Sequence, residues 1–204
     1  MDLLLLLTVL SILVAGTGAA LVVAEDHRVG VALLVAEYLG VAGLLTLAGQ
    51  PGAALSRVAV GACAAAILVI TLRRLDTEQV RTTPGPTPPG GWFRLSASLL
   101  VVAAAWGMSD SVATLLPGLA QAQAGAGVAL LTLGLLHLGL TEDPIRWVFA
   151  LLTAQLGFEV MYAVLEPSLA VQAILAGVHL GILLVGSDIA GRRKPSVGSE
   201  STEA

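Results

Sequence analysis

The sequence predicts an all-α polytopic membrane protein with about seven transmembrane helices. Three observations point there. Of its 204 residues, 56% are hydrophobic and 12% charged, against about 25% charged in an ordinary soluble domain. The mean hydropathy is +0.91. Seven apolar segments each approach the about 20 residues that a spanning helix needs, and the polar stretches between them are too short for a soluble domain.

The first segment is Leu3–Ala24. Val22-Val23-Ala24 resembles a signal-cleavage site, but Asp2, the absence of Lys or Arg before the run, and the run's length fit a retained helix. The second, Val29–Gly49, follows Glu25-Asp26-His27-Arg28 and stops at Gln50-Pro51-Gly52. The third is Ala53–Leu72. A linker follows, Leu75–Trp92, whose run TTPGPTPPGG forbids a helix and favours an extended connection. The fourth segment, Leu95–Leu116, ends at Pro117-Gly118. The fifth, Ala122–Leu140, ends at Thr141-Glu142-Asp143-Pro144, and the sixth, Trp147–Leu165, at Glu166-Pro167. The seventh is Ser168–Val185. From Gly191 the chain reads as a disordered tail, with Arg192-Arg193-Lys194 as a stop-transfer anchor. The expected organisation is a three-helix unit over 1–74, a linker over 75–93, a connecting helix over 94–118, a second three-helix unit over 119–190, and a cytoplasmic tail over 191–204.

Charge distribution supports seven crossings. Alternate loops place Arg28, Arg73, Arg74, Arg81, Arg94, Arg146, Arg192, Arg193 and Lys194 on one side, and only Arg57 on the other. By the positive-inside rule the N-terminus is outside and the C-terminus cytoplasmic. The two ends of the chain also look alike. Glu25-Asp26 precedes Arg28 as Glu142-Asp143 precedes Arg146, ALLVAEYLG (32–40) resembles ALLTAQLG (150–157), and Pro51 and Pro167 each open the next helix. Helices one to three and five to seven run in the same directions, so this reads as a parallel tandem repeat of a three-helix unit, with chance likeness between Ala/Leu-rich helices as the competing reading. Glycines at small-residue spacing, Gly177-x-x-x-Gly181 among them, are expected to let helices pack closely.

The candidate functional residues are polar groups at membrane depth. Gln155, Glu159, Tyr162 and Glu166 share one face of the sixth helix. Glu37 lies roughly 12 Å and Glu159 roughly 18 Å along their helices from the cytoplasmic end, both near the midplane. His179 reaches a similar depth in the seventh helix, Asp110 lies in the outer part of the fourth within Ser-Asp-Ser, and His137 lies near the inner end of the fifth. A charged acid at the bilayer centre is costly and must face protein or water. Unpaired, such an acid tends to be neutral, and beside a cation it ionises, which is the behaviour a proton relay needs. Glu37, Glu159, Asp110, His179, Gln155, Tyr162 and His137 are therefore the relay candidates. Interhelix hydrogen bonding is the alternative role for the acids, capping of a local break for Asp110, groove filling for His179, and snorkelling for His137. Glu166 reads as a solvated helix end, and Cys63 as a small apolar filler. Within the chain only Arg57, near the outer surface, is a candidate cation to pair the two glutamates; a partner helix from another subunit is the other source.

Several classes are disfavoured. One cysteine excludes an intramolecular disulfide and a Cys-rich metal site. Three scattered histidines make a metal cage unexpected, and no basic cluster suggests nucleic acid. There is no phosphate loop, dinucleotide turn or catalytic triad, so neither enzyme activity nor a cofactor is expected of the chain alone.

A charged turn followed by LLxxE, Arg28 through Glu37, resembles the second helix of the small K-type subunit of NADH:quinone oxidoreductase; Arg146 through Glu159 does so more loosely. The longer pattern, with LTLGLLHLGL (131–140), LLTAQLGFEVMYAVLEPSL (151–169) and AILAGVHLGILLV (173–185), resembles component E of hydrogenase-4 and related group 4 hydrogenase complexes. The resemblance implies a noncatalytic subunit of a prokaryotic inner-membrane complex, packed against antiporter-like subunits and lending buried carboxylates to proton or ion translocation. The chain departs from it where the K-type third-helix glutamate is replaced by Cys63 and His179, and where Gln155 stands opposite Glu37 in the repeat. A stand-alone transporter or channel and a purely structural anchor are the rival readings.

Overall fold

A computed structural model describes residues 3–77, 90–166 and 168–192. These form seven α-helices and no strand: α1 (Leu3–Val23), α2 (His27–Leu47), α3 (Pro51–Thr77), α4 (Gly91–Leu115), α5 (Gln121–Gly139), α6 (Pro144–Leu165) and α7 (Leu169–Arg192). Each contains a stretch long and apolar enough to cross a membrane. The expected linker and tail fall largely on residues outside the described ones. α2, α3, α4, α5 and α6 begin before the expected runs and α3 and α7 end beyond them, because hydrogen-bonded turns continue through flanking polar residues, whereas α1, α2, α4 and α5 end short of the expected C-terminal residues.

Local chemistry sets the helix ends. Asp26 and Asp143 are matching N-caps, their carboxylates accepting from the backbone N–H of Arg28 at 2.8 Å and of Ile145 at 2.9 Å. Pro144 occupies the first turn of α6, where no N–H is required. Gly49, at φ +78, closes α2, with the Gly49 N–H on the Thr46 carbonyl and the Gln50 N–H on that of Leu45, a C-terminal pattern that needs a left-handed residue.

The helices stand in two rows. α1, α2 and α3 pack in order, α5, α6 and α7 likewise, and each helix also touches its counterpart: α1 on α5, α2 on α6, α3 on α7. A twofold axis along the bundle cannot produce this. Like helices would meet only where they straddle the axis, and three helices spaced about 8–10 Å apart cannot all do so. The rows are therefore stacked by translation and run the same way. α4 lies against α1 and α5 at one edge, burying Arg94, Ser98, Ala105 and Ser109 while exposing Leu99, Leu100, Met108 and Leu115. That inside-out pattern suits a helix with hydrocarbon along its outer face.

The tightest approach is between α5 and α6. A Cβ on Gly134 would meet the backbone of Ala150 and Ala154, and one on Gly157 would meet the backbone of Gly127 and Leu131. The expected close packing at Gly177 and Gly181 is not found: a Cβ at either would meet nothing within 4 Å, because that face of α7 points away from the bundle.

Candidate functional site: a polar seam at membrane depth

The two rows meet along a seam that carries polar contacts at both ends and in its middle. We name the two ends of the bundle after Asp143 and Pro51. At the Asp143 end, His27 Nε2 lies 2.5 Å from the Asp143 carboxylate, and Arg146 donates to the Glu25 carbonyl at 2.7 Å. Burial of Asp143 raises its pKa, but the His27 contact, the Ile145 amide and nearby Arg146 outweigh that and hold the carboxyl below its ordinary value.

At mid-depth Glu37 is completely buried. It sits in the eleventh position of the 21-residue α2, so the membrane extends in both directions. Thr153 Oγ1 donates to Glu37 Oε2 at 2.8 Å, while Oε1 has no hydrogen-bond partner. Gly18 makes room for it: a Cβ there would sit 3.2 Å from Oε1.

Nearer the Pro51 end is a buried ionic cluster. Arg57 Nη1 lies 2.6 Å from Glu159 Oε2, with side-chain exposures of 0% and 2%. The contact is close but poorly aligned for a hydrogen bond, since neither atom has a well-directed partner. Arg57 Nη2 donates to the side-chain carbonyl of Gln172, His179 Nδ1 stands 3.5 Å from Glu159 Oε1, and Gln155, one turn earlier on α6, adds a polar contact. Tyr38 joins the levels: its ring centroid lies 5.7 Å from that of His179, and it is within electrostatic reach of Glu37, Glu159 and Arg57. At the Pro51 end, Gln50 donates to the Ala163 carbonyl at 2.8 Å, and Gln123 to that of Leu44 at 3.2 Å.

Of the seven expected residues, Glu37, Glu159, His179 and Gln155 converge on the seam. Three do not. Asp110 is exposed on α4 and caps no break, because the helix runs unbroken through it to Leu115. Tyr162 stacks on Phe158, with ring centroids 5.3 Å apart. His137 does not snorkel; it is buried at the Asp143 end, lining a notch with His27, Arg146 and Phe149. Cys63 is exposed, so it fills no core space.

The main correction concerns Arg57. Expected near the outer surface, it is fully buried and supplies the cation for Glu159 from within the chain. The signal was in the spacing. Arg57 lies six residues after Pro51 and Glu159 six before Leu165, and both helix ends lie at the same end of the bundle. At 1.5 Å per residue each is therefore about 9 Å inside. Thr153, Gln172 and Tyr38 also went unnoticed; such residues are common in helices, and only the facing row gives them a role. Among the described residues no group of three His, Cys, Asp or Glu is placed to hold a metal ion. Comparison with protein-family models, curated proteins and solved structures gave no match.

Proposed function

We propose that the chain is a noncatalytic integral membrane subunit of a complex-I-like or group 4 hydrogenase-like assembly, set beside antiporter-like subunits, in which Glu37 takes up and releases the translocated proton. The observation that carries this reading is the contrast between two buried acids on one seam. Glu159 is held by Arg57, whereas Glu37 has no cation against it and one free oxygen. An acid at mid-membrane without a counter-charge is stable neutral, and exchanges its proton when a neighbouring charge changes. By the positive-inside rule the Asp143 end faces the cytoplasm, and the resemblance to component E of hydrogenase-4 implies a prokaryotic inner membrane.

The test is proton pumping by the assembled complex. Glu37→Gln is expected to lower the protons moved per electron while assembly stays normal; unchanged coupling would sink the relay role. A second reading, a structural anchor, is favoured by the Arg57–Glu159–Gln172 contacts tying α3, α6 and α7 together. It predicts that Glu37→Gln leaves coupling intact. Proton flux through the purified chain in liposomes would instead favour a stand-alone channel.

A further inference from the structure

The seam is polar at both ends and at its middle, but one interval is apolar. From His27 to Glu37 is ten residues of α2, about 15 Å. Across it lie Gly30, Leu34, Val148, Phe149 and Leu152, all buried. On its Asp143 side this interval begins at the notch, which is lined by Glu25, Asp26, His27, His137 and Arg146, with Phe149 among its walls. The notch has titratable groups at its mouth and a buried His137 Nε2 without a partner in its wall. It holds no room for a water molecule. The Phe149 ring is seated on Gly30, where a Cβ would come within 2.6 Å of it. Gly30 and Leu34 stand one turn apart on the α2 face that carries Glu37 one turn further on. The ring thus stands between a protonatable notch and the buried acid, and the residue beneath it is the one that leaves it space.

We propose that protons reach Glu37 from the Asp143 end through this notch, and that the Phe149 ring is the closure they pass. The proposal rests on the relay reading of Glu37, but its test does not measure pumping. In the full chain with Cys63→Ala, a single cysteine is placed by Leu34→Cys, beyond the ring. A membrane-impermeant methanethiosulfonate is then applied to vesicles from each side. With Phe149 and Gly30 intact, Cys at 34 is expected to stay unlabelled from both sides. Phe149→Ala, which removes the ring, and Gly30→Ala, which displaces it, are each expected to raise labelling from the Asp143 side about tenfold or more, since every 1.4 kcal/mol off an opening cost is a factor of ten in the open population. Absence of labelling in folded samples of both variants overturns the proposal. So does equal labelling from the Pro51 side, or labelling with the ring intact. If Glu37→Gln leaves coupling unchanged while labelling behaves as expected, the relay reading fails and the closure stands.

Discussion

Arg57 is the side chain whose loss should matter most. Removing it leaves Glu159 buried beside His179 without its cation. Breaking a buried pair from one side costs about 3–5 kcal/mol, whereas replacing both partners by apolar groups is often neutral. Arg57→Leu is therefore expected to lower unfolding stability in detergent by that amount, and Arg57→Leu with Glu159→Leu to recover most of it. A neutral single substitution would count against the pair as a buried ionic link. Glu37, Glu159 and His179 were legible because a polar residue in an apolar run announces itself. What the sequence concealed was the pairing. Arg57 looked superficial when counted from the loop, and its partner became visible only when depths on two different helices were compared.

Among the elements, α5 and α6 are held by backbone approach. A side chain at Gly157 would have to push the Gly127–Leu131 backbone away, and backbone cannot yield as a flexible side chain can. Gly157→Val is expected to cost at least about 1–3 kcal/mol, the usual cost of overpacking. Gly177→Val, which meets nothing, should stay within about 0.5 kcal/mol of the parent. Equal effects in thermal unfolding would mean that the α5–α6 contact is looser than described. The seven helices themselves were readable from length and apolarity, and so were their breaks. Which glycines are indispensable was not, because a small-residue pattern says that a helix can be approached, not from which side.

On the scale of the whole molecule, the two rows are joined at the Asp143 end by the His27–Asp143 contact. Because the Asp143 carboxyl is held below its ordinary value of 3.8, its contribution is complete above that pH and is lost as pH falls through the lower folded value. Asp143→Asn keeps the helix cap and removes the charge. Its melting temperature is expected to fall less than the parent's as pH drops from about 4 to about 2, the range in which the parent loses that contribution; parallel curves would count against the link. The parallel direction of the rows could be inferred from loop parity. Their side-by-side stacking could not, since orientation along the membrane normal says nothing about arrangement within its plane. That stacking has a consequence for the chemistry of the seam. A translated row meets its neighbour with the opposite face of each helix, so even two faithful copies of one unit would not set a charge against its own image. The levels are accordingly heteronymous: histidine meets aspartate, glutamate meets threonine, arginine meets glutamine. Where like does face like, at Thr71 and Ser187, both groups are neutral hydroxyls 3.1 Å apart. A bundle built this way can carry ionisable groups in its interior because stacking by translation gives each a different partner, whether or not its halves are alike.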